Sequence, residues 1–253
     1  MGEWLLQTKE FSGWYDGHGG DESDNKVLFC YGDPGVGKTF IRYQGRTSEK
    51  KKKASANGYD VSSLVIDKLC DQAGGRNFTV ACFYFDFAAR KEQSPPNILG
   101  ALLKQLVHGL GTTPGEISWA YQYQKSAIGG RGPQLSDIVR MVQTTASRKP
   151  TFICVDALDE CVAEYRVKIL DSLNQILQRS SGVRVFVTGR PHIKAEVANR
   201  LSGKVTTIHV TPRRPDIINY IHSRLCEDTT PDAMNGSLKA DILEKIPEEV
   251  SDM

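Results

Sequence analysis

What is missing narrows the field first. No apolar run approaches the ~18 residues that a membrane-crossing helix needs. The N-terminus, Met1-Gly2-Glu3-Trp4, lacks the basic-then-apolar pattern of a secretion leader. A cytoplasmic protein with no membrane partner is therefore expected. Net charge is also scarce: 32 Lys and Arg against 30 Asp and Glu leave a formal +2. That balance gives no argument for nucleic acid as a bulk partner, and none is expected. No two of the cysteines, Cys30, Cys70, Cys82, Cys154, Cys161 and Cys226, form a C-x-x-C pair. This argues against a zinc site or a disulfide framework. Cys30, Cys82 and Cys154 fall within apolar runs, where a free thiol behaves as a small buried hydrophobe in a reducing compartment. Internal repeats are absent. What remains is a chain of 253 residues, 40% hydrophobic, long enough for one α/β domain or one plus the start of another.

The most informative stretch is Gly32-Asp33-Pro34-Gly35-Val36-Gly37-Lys38-Thr39, a complete G-x-x-x-x-G-K-[ST] phosphate-binding loop. Its glycines let the backbone wrap an anion and turn its N–H groups inward. The helix expected next adds the positive end of its dipole, and Lys38 adds a full charge. Thr39 is placed to put its hydroxyl on Mg²⁺. Residues Gly32 to Thr39, with Phe40, are the candidate nucleotide-binding set. The apolar run from Lys26 to Tyr31 supplies the strand that such a loop follows.

Further buried strands are expected at 80–87, 151–156, 183–188 and 205–210, and helices at 97–109, 134–147 and 164–179. Nearly all-apolar strands alternating with helices imply a parallel sheet covered on both faces. Residues 4–15 suggest one short amphipathic helix with Trp4, Phe11 and Trp14 near one face, packing onto the core. After residue 211 the pattern is helical only, with one apolar stripe of Ile217, Ile218, Ile221 and Leu225 and another of Ile242, Leu243, Ile246 and Val250. His209 falls in a strand and reads as a core residue; the other histidines have no partner spacing.

Two strand ends carry candidate chemistry. Phe152-Ile153-Cys154-Val155-Asp156-Ala157-Leu158-Asp159-Glu160 places three carboxylates within five residues of a strand tip. Asp156 is the expected Mg²⁺ residue, through a coordinating water. Asp159 and Glu160 are expected to orient or deprotonate the attacking water. The strand from Val183 ends in Thr188-Gly189-Arg190-Pro191, where Arg190 would face the cleft and sense a γ-phosphate.

With these motifs in place, the chain resembles the NACHT branch of the STAND nucleotide-switch ATPases, in the nephrocystin 3-like N-terminal type found in fungal NOD-like proteins. The resemblance rests on the Gly2-Glu3-Trp4 opening, the loop at 32–39, Tyr84-Phe85-Asp86-Phe87 with the Pro96-to-Leu106 helix, the acidic strand and VFVTGRP. It extends to the helix at 216–225. It implies a P-loop NTPase fold of the ASCE type, a parallel sheet flanked by helices. An N-terminal helix and linker would occupy 1–22, the core 23–211 and the truncated start of a helical lid 212–253. It further implies binding and slow hydrolysis of ATP or GTP with Mg²⁺, as a conformational switch in a larger NLR-like, innate-immunity-type signalling protein. Partners would be the nucleotide, further domains of a longer chain such as a winged helix and repeats, and a second copy when nucleotide is bound. An AAA-like turnover ATPase, a small-molecule kinase and a non-catalytic scaffold are the competing readings. No N-K-x-D base-reading motif is present, so ATP is the default.

Residues 43–62 depart from that pattern. They are polar and lysine-rich where the helix after Thr39 should continue. Deleting them puts Phe40 four residues before Leu64 and Ile41 four before Val65, which restores an apolar helical face. The stretch is in frame, and the codons available for Arg42, Tyr43 and Ser62 permit a GT donor and an AG acceptor. The expectation is an insertion of retained-intron type, looping out before the helix resumes near Ser63.

Overall fold

The computed structural model describes residues 2–17, 25–33, 64–73, 77–126, 132–201, 205–211, 213–226 and 236–251. Residues 34–40 of the nucleotide-binding set and the insertion at 43–62 lie outside them.

Five short apolar runs form one sheet: β1 (Val27–Tyr31), β2 (Thr79–Tyr84), β3 (Thr151–Asp156), β4 (Val183–Gly189) and β5 (Val205–His209). Their spatial order is β2-β3-β4-β1-β5, and every neighbouring pair is parallel. Parallel strands need crossovers, which the helices supply. All five C-terminal ends therefore lie at one edge. Because β4 sits between β1 and β3, the strand that leads into Gly32 and the strand that ends in Asp156 flank the strand that leads to Arg190.

Side-chain alternation divides the core into two layers. Val27 and Phe29, Ile153 and Val155, and Val183, Val185 and Val187 face α4 (Pro95–Leu110), α6 (Leu135–Ala146), α7 (Ala163–Arg179) and α8 (Lys194–Arg200). Leu28, Cys30, Phe152, Cys154 and Phe186 face the opposite layer, where α1 (Glu3–Leu6), α2 (Lys9–Asp16) and α3 (Leu64–Ala73) pack. Leu64, Val65, Ile66 and Leu69 of α3 are all buried, as their spacing predicts. This three-layer arrangement is the expected P-loop NTPase sheet flanked by helices. Cys30 and Cys154 are buried free thiols whose ionisation burial pushes up, and Cys82 is half-buried. None of the described helices is long and apolar enough to cross a membrane.

Several expectations need correction. The single helix at 4–15 is two, because Thr8 leaves helical geometry and its hydroxyl accepts from the Phe11 amide at 3.1 Å, capping α2. Trp14 is then fully buried, its indole N–H donating to Lys26 O, while Trp4 is only half-buried and lies under the Arg213 guanidinium. The strand expected to run to residue 87 stops at Tyr84. The chain turns there, with the Ala88 amide on Asp86 Oδ1, and leaves Phe87 60% exposed. His209 is not in the core: it ends edge strand β5, exposed, and stacks on Tyr31 at 5.0 Å. Ile246 is exposed as well, while Pro247 on the same helix is buried.

Two helices were not foreseen. In α5 (Gly115–Ser126) the apolar residues form no stripe, and Trp119 is exposed; α8 is only seven residues long. Beyond β5, α9 (Arg214–Cys226) packs against α10 (Gly236–Ser251). The Gly2 amide donates to Asp216 Oδ1 at 3.0 Å, tying the N-terminus to α9.

Candidate functional site

At the C-terminal edge of the sheet, the Gly32 amide donates to Gly189 O at 3.4 Å. The start of the phosphate loop is thus held against the end of β4. Tyr31, one residue earlier, accepts a hydrogen bond from Lys194 Nζ at 2.7 Å, and its ring carries the stacked His209.

Asp156 ends β3 and is 4% exposed. Its Oδ1 accepts the Thr188 hydroxyl at 2.5 Å, and that hydroxyl accepts the Ala157 amide at 2.8 Å. The Thr188 hydrogen is therefore committed to the carboxylate, and one Asp156 oxygen is fixed while the other is not engaged by Thr188. Ala157 adopts a left-handed φ of 55°, which costs energy in a residue with a Cβ and turns the chain sharply away from the strand. The one-turn 3-10 helix Leu158–Glu160 follows, anchored by fully buried Leu158.

That turn sends its two acids to different partners. Asp159 accepts from the Arg190 amide at 3.2 Å on Oδ1 and from Arg190 Nε at 3.0 Å on Oδ2. Both its oxygens are engaged by one residue. The Arg190 side chain is 46% exposed and the Asp159 side chain is nearly buried. Glu160 reaches toward the turn after β2, where its Oε2 accepts the Phe87 amide at 3.1 Å. Asp156, Asp159, Glu160 and Arg190 thus lie together, across strands that are far apart in sequence.

The electrostatics follow from this crowding. Burial, with Glu160 and Asp159 nearby, pushes Asp156 up to about 6, against the lowering pull of Thr188. Glu160 is raised too, chiefly by burial and then by Asp159, with the Phe87 amide and Arg190 opposing. A buried carboxylate among other acids favours a hard divalent cation with oxygen ligands. Mg²⁺ takes one or two carboxylates and completes its shell with phosphate and water. Asp156 fits the group, and Thr39 lies outside the described residues.

Sequence reasoning gave Thr188 no role. Its residue type was the available signal, since apart from Arg184 it is the one polar side chain in β4; its register opposite Cys30 of the loop-bearing strand emerges only from the sheet. The Asp159–Arg190 pair spans 31 positions and had no local signature.

A protein-family model described as nephrocystin 3, N-terminal matches residues 1–44 and 61–190. No curated protein matches the chain. Among solved structures, Cdc6p from Pyrobaculum aerophilum aligns with a TM-score of 0.51 at 12% identity, over 99% of this chain and 57% of that one. The Aeropyrum pernix Orc1 protein, solved in complex with DNA, aligns with a TM-score of 0.48 at 16% identity, over 99% of this chain and 60% of that one. Drosophila ORC bound to DNA gives 0.49 at 15% identity, over 89% and 49%. The chain thus spans about half to three-fifths of these proteins. The likeness to Cdc6p supports the fold alone; the other two carry no further argument. The expectation that nucleic acid is not a partner is not borne out.

Proposed function

The chain belongs to the nephrocystin 3 N-terminal family, and we propose that it is a nucleotide-operated switch of the NACHT/STAND kind that binds Mg-ATP and hydrolyses it slowly. The observation that carries this reading is the meeting of Asp156, Glu160 and the Asp159–Arg190 pair beside Gly32 at one sheet edge. In this reading the backbone of Gly32 to Gly37 wraps the phosphates, Lys38 neutralises them, and Phe40 continues the binding segment. Thr39 and Asp156 would hold Mg²⁺, which would shield the phosphate charge. Glu160 orients the attacking water. Arg190 is the γ-phosphate sensor: its exposed guanidinium exchanges Asp159 for phosphate when ATP is bound, and returns on hydrolysis. Asp159 then acts by holding Arg190, and joins Glu160 at the water once released. ATP is preferred to GTP only for want of a base-reading motif. Cytoplasmic residence, self-association in the ATP state and further domains in a longer chain complete the proposal.

Lys38→Ala removes the only side-chain cation of the loop. Charge-assisted hydrogen bonds contribute about 1.5–3 kcal/mol each, so Mg-ATP affinity by titration calorimetry should fall at least tenfold. An unchanged isotherm would sink the phosphate-loop assignment. Turnover separates the switch from an AAA-like motor, since the former should cycle over minutes and the latter in seconds or less.

Residues 43–62 are part of the proposal as an insertion into the helix that carries Thr39. The family match stops at 44 and resumes at 61, and α3 begins at Leu64 with its apolar face buried, which supports that reading. A helix interrupted so soon after Thr39 would gain little from its own hydrogen bonds. A chain lacking the stretch, with Ser at the join, should melt higher and bind ATP more tightly. Equal melting temperatures and affinities would make the stretch a native, harmless loop.

A further inference from the structure

The edge of the sheet opposite Asp156 carries a separate concavity. The loops at 147–150 and 180–182, which lead into β3 and β4, run side by side there, joined by the Thr151 amide on Gly182 O at 2.9 Å. Between them is a cavity of about 270 Å³, lined by Arg148, Lys149, Arg179, Ser180 and Gly182 among others. Six residues of β3 put it about 20 Å from the Asp156 edge, so it is no part of the nucleotide site.

Two independent features point to a ligand. The first is charge. Arg148, Lys149 and Arg179 make no ion pair with an acid among the described residues. Two helices, α6 and α7, end beside the cavity, and each carbonyl end contributes about half a negative charge. Those ends offset about one of the three cations and leave a surplus of about two. Part of the helix-end demand is met internally, because the Ser147 hydroxyl bonds Gln143 O at 2.8 Å and the Ser180 amide bonds Ile176 O at 3.0 Å. The second feature is Ser180 itself. The residue is 4% exposed, and its hydroxyl is buried with no hydrogen-bond partner. Buried hydroxyls are rarely left unpaired, because they give up their bonds to water with nothing in return.

We propose that this cavity binds a small phosphate-bearing anion. Guanidinium forks match the oxygens of a phosphoryl group, and Lys149 adds a point charge. The Ser180 hydroxyl, turned about its Cα–Cβ bond, gains an acceptor. A phosphoryl dianion matches the surplus of about two charges, where a monocarboxylate leaves one unmet. The volume of about 270 Å³ falls just below that of drug-sized sites, roughly 300–1,000 Å³, so a small phosphorylated molecule fits and an extended polyanion does not.

The test uses the full chain carrying Lys38→Ala, so that the loop at 32–39 is not the binder. Thermal melts and calorimetry are run with inorganic phosphate and with glycerol 3-phosphate, against chloride at equal ionic strength. Saturable stabilisation by either anion is expected. Arg148→Ala/Arg179→Ala should weaken it at least tenfold. Ser180→Ala should weaken it severalfold while melting no lower than its parent without phosphate, since it deletes an unmet hydroxyl. Tighter binding of the ester names a phosphorylated metabolite as the source, and tighter binding of phosphate names the free ion. No saturable effect beyond chloride overturns the site, as does an effect that survives the double arginine change. A Ser180→Ala chain that melts below its parent also overturns it, by showing that the hydroxyl is already satisfied.

Discussion

Glu160→Gln is expected to lower ATP turnover by ~10²-fold or more, the usual range for a lost general base, with Mg-ATP affinity nearly unchanged. The amide keeps an oxygen for the Phe87 amide, so the turn at Leu158–Glu160 should survive; only the basic carboxylate goes. Its raised pKa suits the role, because a base held closer to neutrality takes a proton from water with less loss of driving force. Asp159→Asn should behave differently. Its oxygens engage Arg190 rather than standing free, so the substitution loosens Arg190, and the expected effect is a loss of ATP-over-ADP discrimination together with slower turnover. Single-turnover hydrolysis and separate ATP and ADP titrations read the two effects apart. If Glu160→Gln abolishes affinity instead, Glu160 is a metal ligand and the division of labour with Asp156 fails.

Much of this edge was legible because parallel strands buried on both faces leave short continuous apolar runs. The span 151–156 of β3 was read without error, and β4 to within one residue. The run 80–87 misled, since Phe85 is buried beyond the strand end and Phe87 is apolar yet exposed; hydrophobicity alone does not separate a strand from the turn after it. The break at Thr8 depends on a local side-chain bond that competes with helix continuation, and the periodicity of Trp4, Phe11 and Trp14 carried across it. Helix α5 has no apolar stripe, so its periodic signal was absent. At the site, residue types in Asp156-x-x-Asp159-Glu160 and the Arg190 at the next strand's end gave the candidates, while their pairing, and the part of Thr188, needed the strand order. With β4 between β1 and β3, Thr188 reaches Asp156 and Arg190 reaches Asp159; no local pattern in the sequence encodes that adjacency.

Asp156→Asn should stabilise the metal-free protein at pH 8 and weaken it, relative to the parent, once Mg-ATP is present. In the fold Asp156 titrates at about 6, above its ordinary value of 3.8, because burial and its acidic neighbours disfavour the charged form. The folded state therefore holds this proton more tightly than the unfolded chain does. Its contribution to stability is full below about pH 3.8, falls as pH rises through about 6, and is lost above that. Each tenfold change in proton affinity is worth 1.36 kcal/mol, so the carboxylate costs up to about 3 kcal/mol at pH 8. Asparagine removes that cost at every pH and can still accept the Thr188 hydrogen, but its new amide hydrogens need partners, at about 1–3 kcal/mol if buried without them. A net gain of up to about 2 kcal/mol is expected at pH 8, shrinking to nothing or reversing near pH 4. Saturating Mg-ATP should invert the order, since a ligand stabilises the folded state by RT ln(1 + [L]/Kd) and the amide would forfeit the carboxylate's charge toward the metal and its water. Urea unfolding at pH 4 and pH 8, with and without Mg-ATP, reads all four quantities. A variant that is less stable at pH 8 by the same margin as at pH 4 would mean that Asp156 is held for its packing rather than poised for a cation. Equal stabilisation of both chains by Mg-ATP would remove Asp156 from the metal site.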